Sequence, residues 1–383
     1  MERIYLDNAA TTPMDPAVID RMTAVMKTVF GNASSVNSFG REARAILDES
    51  RHTIAQSINA ARDDEIVFTS GGTESDNTAI IQTALARQQE GRHIITTAVE
   101  HEAVLKPMQY LEQHGFEVTY LPVDECGMIR LADLRAALRD DTILVSVMTG
   151  NNEVGARMPI HEIGELVAPT NAWFHTDAVQ AYGLLDIDVQ RDHIDLLATS
   201  AHKLNGPKFM GFLYRRTGLN FPPLIKGGEQ ELDRRAGTEN IPAIAGFAKA
   251  VALLDPDTKR ARREHEQALK ESLITKLTDA GIDFEVNGGH GEDYLPHVLS
   301  IWFKGVPNDA LITNLDLAGI AVAAGSACTA GSLEPSHVLR AMYGDSPRVT
   351  ETIRFSFGPL NTEAEINTVV QEVAKIINRM KRG

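Results

Sequence analysis

A few short segments combine residue types that ordinary surface composition does not explain. Ser70-Gly71-Gly72-Thr73-Glu74 falls where a strand-like run hands over to a helical one. Glycines there let backbone N–H groups approach a ligand, and the start of a helix favours an anion. Thr73 adds a hydroxyl, so the segment is a candidate phosphate cradle; a capped tight turn would use the same residues. His175-Thr176-Asp177-Ala178-Val179-Gln180 closes another strand-like run. Ligands of open α/β sheets collect at such strand ends. Asp177 there can pair with a protonated ring nitrogen and Gln180 with a phenolic oxygen, or Asp177 can simply cap a turn. Ser200-Ala201-His202-Lys203 ends a further strand. Lys203 can form a Schiff base, with Ser200 and His202 as phosphate ligands beside it. A lysine, a carboxylate and a phosphate cradle are the set that pyridoxal phosphate demands. Each alone has a structural explanation; the three in order on successive strand ends are hard to explain that way.

Other residues fit around that set. His101, after the strand that includes Val99, can stack on a cofactor ring and relay protons, although a lone histidine is more often structural. Asn152 follows a strand in Asn151-Asn152-Glu153 and can hydrogen-bond cofactor or substrate, or shape a turn. Arg354 lies inside the strand-like Thr352-Ile353-Arg354-Phe355-Ser356, where a charge needs a partner. A substrate carboxylate in a bidentate pair would serve, as would a structural ion pair. Cys328 sits in a run of small residues, Ala324 to Ser332, which suggests an open loop and an accessible thiolate nucleophile. Cys126, between Glu125 and Gly127 and close to Asp124, is read as inert.

Positioning these residues requires an α/β framework. Strands are expected at Glu65 to Phe68, His93 to Val99, Thr142 to Met148, Trp173 to Thr176, Ile194 to Ala198 and Gly211 to Tyr214. Helical sequence follows from about Thr73 and from about Ala103. Short apolar runs separated by helices predict a mostly parallel sheet covered on both faces. Beyond about residue 256 the pattern changes. A charged helical stretch covers about 257–280, strands follow at His297 to Phe303 and Thr352 to Phe357, and Glu363 to Met380 carries apolar residues at helical spacing. The expected division is a large domain over 15–255 and a smaller α+β domain built from 1–14 and 256–383, with Asp255-Pro256-Asp257 as the linker.

Composition narrows the function. A chain of 383 residues is long enough for a large core and needs no disulfide or metal staple. A formal charge of −15 argues against broad binding to nucleic acid or anionic membrane. Two cysteines are no disulfide framework and suit a reducing cytosol, so a cytoplasmic location is expected. Neither a signal peptide nor a membrane-spanning run is read.

The chain resembles the cysteine desulfurases of the nitrogen-fixation and iron–sulfur-assembly type, within the class V aminotransferases of pyridoxal-phosphate fold type I. The resemblance runs nearly end to end. It is carried by Tyr5-Leu6-Asp7-Asn8-Ala9-Ala10-Thr11-Thr12, Gly31-Asn32-Ala33-Ser34-Ser35, Gly72-Thr73-Glu74-Ser75-Asp76-Asn77 and Glu100-His101. It continues through Asn151-Asn152-Glu153, Asp177-Ala178-Val179-Gln180, Ser200-Ala201-His202-Lys203, Arg235-Ala236-Gly237-Thr238-Glu239-Asn240 and Gly325-Ser326-Ala327-Cys328. It implies a large domain with a mostly parallel seven-stranded sheet under helices, plus the smaller α+β domain. It also implies that Lys203 is the Schiff-base lysine, and that Asp177 and Gln180 pair with the pyridine nitrogen and phenolic oxygen. Gly72, Thr73, Ser200 and His202 would bind phosphate, and Thr238 would be the phosphate ligand lent by a neighbouring subunit of a homodimer. His101 would stack and move protons; Asn152 and Arg354 would hold the substrate carboxylate. L-Cysteine would give L-alanine and a Cys328 persulfide, whose sulfur passes to an acceptor protein for iron–sulfur clusters or tRNA thiolation. No resident metal is implied, although Cys328 could touch a cluster transiently.

The chain departs from that pattern at Asn37, where histidine is frequent, at Ala33, where proline is commoner, and across 204–210. Two other enzyme readings share the scaffold: selenocysteine lyase or another amino-acid lyase, and a transaminase, which needs no Cys328. A non-enzymatic acidic scaffold is the remaining alternative, and the intact Asp177, Lys203 and Cys328 argue against it.

Overall fold

The computed structural model describes residues 3–325 and 335–380. Its strands in chain order are β1 (Ile4–Tyr5), β2 (Ile66–Thr69), β3 (His93–Thr97), β4 (Glu117–Leu121), β5 (Thr142–Ser146) and β6 (Trp173–Asp177). They continue with β7 (Leu196–Ser200), β8 (Gly211–Arg215), β9 (Phe284–Val286), β10 (Val298–Phe303), β11 (Ile320–Ala321) and β12 (Thr352–Ser356).

Seven of these form one sheet in the order β2-β8-β7-β6-β5-β3-β4. β8 runs antiparallel to both neighbours and the other pairings are parallel. The mostly parallel seven-stranded sheet expected from the sequence is therefore present. Every residue of β2, β3, β5, β7 and β8 is buried, as continuous apolar strands should be when both faces are covered. The parallel order turns the C-terminal ends of β6 and β7 the same way, and these ends carry Asp177 and the approach to Lys203.

A second hydrophobic core gathers Leu269, Leu273 and Leu277 from the helix Pro256–Asp279, Leu299, Ile301 and Phe303 from β10, and Phe355 from β12. The helix Glu363–Met380 completes it with Ile366, Val369, Val370, Val373, Ile376 and Ile377, the spacing read from the sequence. β9, β10 and β12 form an antiparallel sheet in that core. The amino-terminal residues belong to it too. Ile4 and Leu6 are buried there, and β1 pairs in parallel with β11. Asn8 Nδ2 donates to Ser356 O at 3.0 Å and to Asn361 Oδ1 at 3.2 Å.

Asp255-Pro256-Asp257, expected as the linker, forms the start of a helix. Asp255 caps the helix Pro256–Asp279, its side chain accepting from the Thr258 amide at 2.7 Å. Pro256 occupies the first turn, where its missing N–H costs nothing.

Candidate active site

The cradle forms where β2 ends. Gly71 caps the helix Gly72–Asn77 with φ +151°, a conformation that favours glycine. The helical path continues through a wider π-turn at Thr78–Gln82. A Cβ on Gly72 would lie 2.7 Å from Val179 Cγ2, so only glycine fits against the chain leaving β6. The first amides of such a helix have no intrahelical partner and point at whatever sits beyond it. Glu74, in the same turn, accepts from the Ser70 amide at 2.8 Å and pairs with Arg235 at 2.9 Å. Burial pushes its carboxyl up, and these bonds together hold it below its ordinary value.

Asp177 ends β6 and accepts from the Val179 amide at 2.8 Å. Two further carboxyls lie behind it. Asp76 is buried, and its Oδ1 has no hydrogen-bond partner among the described residues. Burial raises it well above the usual range, and the charges of Asp177 and Glu100 add to that. Glu100 is pushed up to about 8 by burial, against the opposing bonds from the Met148 amide and the Thr97 hydroxyl. Burial raises Asp177 as well, but His101, the Val179 amide and Lys203 favour its ionised form. Neighbouring carboxylates thus add to the burial that favours the neutral form of Asp76, whereas only Asp177 has neighbours that favour its charge. His175, 3.4 Å from Asp76, is pushed down to about 3 by burial and stays neutral. Sequence reasoning gave no role to Asp76, Glu100 or His175.

A short 3₁₀ turn, Ala201–Lys203, follows β7 and delivers the lysine. Lys203 Nζ donates to the carbonyls of Ala9 and Ala10 at 2.5 and 2.9 Å. The carbonyl of His202 accepts from the Thr12 amide and hydroxyl, which fastens the amino-terminal segment across this turn. His202 Nδ1 lies 3.1 Å from Thr11 Oγ1. Burial, then the charges of Lys203 and Lys208, push its imidazole down to about 4, so it is neutral.

His101 caps the helix Glu102–Gln113, its Nδ1 accepting from the Ala103 amide at 3.1 Å. Gln180 Nε2 donates to Ala9 O at 2.9 Å. Arg354 is 1% exposed within β12. It donates to Asn152 O and to Asp7 Oδ1, each at 2.8 Å, and its buried Nε has no partner among the described residues. The structural ion pair raised at the sequence level thus exists, with Asp7, and leaves donors over.

These residues share one cleft of about 170 Å³, lined by Gly72, Thr73, His101, Asn152, Asp177 and Gln180, and further by Ser200, His202, Lys203 and Arg354. Thr238 does not join them; it is exposed and lines a different cavity, with Arg235 and Asn240. Cys328 lies outside the described residues. Cys126 is exposed, its amide donating to Asp124 Oδ1 at 2.9 Å. Asn37 is a helix cap, accepting from the Gly40 amide at 3.0 Å. Among the described residues no His, Cys, Asp or Glu cluster has metal-ligand geometry, and no helix is long and apolar enough to cross a membrane. The arrangement can hold an anion at one end, a cationic ring nitrogen at Asp177, an electrophilic carbon at Lys203 and a carboxylate at Arg354.

The family model for Aminotransferase class-V matches residues 4–369, and the chain belongs to that family. Among its relatives is a Bacillus subtilis protein whose name, IscS 1, places it with the cysteine desulfurases. It is 55% identical over 381 residues, 99% of this chain and 100% of the relative. A solved NifS-like protein superposes with a TM-score of 0.91 at 34% identity, covering 98% of this chain and all of that one. A second solved structure, SspA in complex with cysteine, gives a TM-score of 0.81 at 33% identity over 94% of this chain and 100% of its own.

Proposed function

We propose that the chain is a pyridoxal-phosphate-dependent cysteine desulfurase that converts L-cysteine to L-alanine and passes the sulfur on as a persulfide. One observation carries the reading: Lys203, Asp177, the Gly72–Thr73 turn and Arg354 open onto the same cleft. The donor set fits the cofactor. Gly72 leaves the turn without a Cβ, so a phosphate can approach its amides, and Thr73, Ser200 and His202 stand beside it. Asp177, whose ionised form is favoured by His101, the Val179 amide and Lys203 against its burial, suits a protonated ring nitrogen, and the Gln180 amide suits the phenolic oxygen. Bound there, pyridoxal phosphate supplies an electron sink for the carbon that bears the substrate amine.

The chain's own residues do the rest. Lys203, in the cleft beside Asp177, would hold the cofactor through its aldehyde carbon. Arg354 and Asn152 grip the substrate carboxylate; the unpartnered Nε of Arg354 is a donor waiting for such a group. His101 would stack on the cofactor ring and move protons, its Nδ1 already committed to the Ala103 amide. Cys328 would attack the substrate sulfur; the Cβ–S bond breaks, its electron pair stays with the carbon that takes up a proton to become the alanine methyl, and the sulfur remains on Cys328 as a persulfide for an acceptor protein serving iron–sulfur clusters or tRNA thiolation. Thr238 is exposed and lies outside its own cleft, which is compatible with its serving a second copy of the chain in a homodimer. The separate core under β10 and β12, with Ile4 and Leu6 in it, supports a large domain over 15–255 and a smaller one from 1–14 and 256–383.

The test is anaerobic turnover of L-cysteine with a thiol reductant, wild type beside Cys328→Ala. Equal alanine and sulfide from wild type and neither from the variant is the expected result. Equal alanine from both would overturn the nucleophile and leave a lyase.

A further inference from the structure

The two ends of the Gln180 amide can be told apart by their partners. Nε2 lies 2.9 Å from Ala9 O, and a carbonyl only accepts, so that end is the NH₂. Oε1 lies 3.0 Å from Nε2 of His297, and an amide oxygen also only accepts. His297 must therefore carry a proton on Nε2. Its Nδ1 is buried and has no partner among the described residues, as a neutral imidazole with the proton at the other nitrogen allows.

The charges around His297 enforce that state. Burial pushes its imidazole well below its ordinary value, and Arg262, Lys270, Lys203 and Arg354 push the same way. Arg262 and Lys270 come from the helix Pro256–Asp279, Lys203 from the turn after β7 and Arg354 from β12. Glu266, the buried carboxyl on that helix, is engaged by Arg262 at 3.0 Å.

Gln180 lines the cleft, with its oxygen occupied by His297 and one amide hydrogen by Ala9. What remains to face the cleft is the second N–H. We propose that His297 is a positioning residue that fixes Gln180 as a hydrogen-bond donor toward the phenolic oxygen of bound pyridoxal phosphate. The inference rests on the assignment of Gln180 to that oxygen under the proposed function. His297 reaches it from the residue before β10, so the smaller core touches the cofactor's electronic state through one hydrogen bond. Without that bond Oε1 is left buried, and the amide is free to turn it toward Lys203 Nζ, which shares Ala9 O with Gln180.

The experiment titrates the visible band of the cofactor-loaded, full-length enzyme with pH. A donor to the phenolic oxygen stabilises its negative charge most once the neighbouring Schiff-base nitrogen has lost its proton, so losing the donor makes that proton harder to remove. His297→Phe should raise the midpoint by about one pH unit. His297→Gln, which puts an N–H in place of Nε2, should return it toward wild type. Gln180→Leu separates the two layers of the argument. If it moves the midpoint and His297→Phe does not, the positioning role is wrong and the Gln180 assignment survives. If neither moves it, both are wrong. A shift from His297→Gln as large as that from His297→Phe would reduce His297 to packing. Should His297→Phe fail to fold, ¹⁵N imidazole shifts of the wild type decide. Protonation at Nε2 alone is expected, and an Nδ1–H or doubly protonated ring overturns the proposal.

Discussion

Replacing Arg354 by lysine separates its structural contacts from the substrate-binding role proposed for it. The guanidinium spends one N–H on Asn152 O and one on Asp7 Oδ1, both at 2.8 Å, and keeps further donors, including the buried Nε. Lysine retains the charge but concentrates its donors at a single point. It can serve Asp7 or Asn152 but cannot also present a flat pair of N–H groups to a carboxylate. A hydrogen bond to a charged group contributes about 1.5–3 kcal/mol. At about 1.4 kcal/mol per tenfold, the carboxylate loses roughly 10- to 100-fold in affinity. The assay is binding of L-alanine, the expected product, followed by the change in the visible band of the bound cofactor. Ethylamine, the same molecule without its carboxylate, is the control. Arg354→Lys should weaken L-alanine by that factor and leave ethylamine unchanged. If both ligands weaken equally, Arg354 acts only by holding Asp7 and Asn152 in place, and the substrate-binding argument fails.

Two other perturbations follow from buried charge. Arg51 grips Glu231 with both ends of its guanidinium, at 2.7 and 2.8 Å, and Glu231 also accepts from the Phe68 amide of β2. Arg51→Met leaves that carboxylate buried without its cation and should cost about 3–5 kcal/mol in urea unfolding; a loss under about 1 kcal/mol would mean that water reaches Glu231. Glu100 has a folded-state value of about 8 against an ordinary 4.5, so the native state holds its proton more tightly than the unfolded chain. Its contribution to stability is complete below 4.5 and is lost as pH rises through about 8. Glu100→Gln keeps the oxygen that accepts from Met148 and Thr97 but has no proton to lose. Its melting temperature should gain on wild type across that window, and a constant difference would refute the assignment.

The strands that the sequence revealed are those buried on both faces, where apolar runs leave no ambiguity. β4 was missed because it lies at the sheet edge with only Leu121 fully buried, so Glu117-Val118-Thr119-Tyr120 reads as surface. The Asp255-Pro256-Asp257 segment has the composition of a linker and of a helix start alike, and only the Thr258 amide decides between them. Lys203, Asp177 and Gly72 could be placed because their position at strand ends is itself a signal. Asp76 and His297 could not. Their residue types are ordinary, and what sets them apart is the loss of water around them, which tertiary packing alone supplies. Arg354 was legible as a charge needing a partner, but the partner, Asp7, lies 347 positions away along the chain.

That separation governs when the cleft comes into being. One wall is made by Ala9 and Ala10 against Lys203, and it is tied down by Asn8 to Ser356 and Asn361. On a translating ribosome, Asp7 emerges early and waits for Arg354 to be made. Domains fold as units during synthesis, so the seven-stranded sheet can form well before β12 exists. Closing so long a loop adds little entropy cost beyond that of a shorter one, so the delay is one of synthesis and not of stability. Lys203 and Asp177 are then in place while Arg354 is still missing. The cleft becomes whole only once β12 has been made, so its assembly is a late event in the synthesis of the chain.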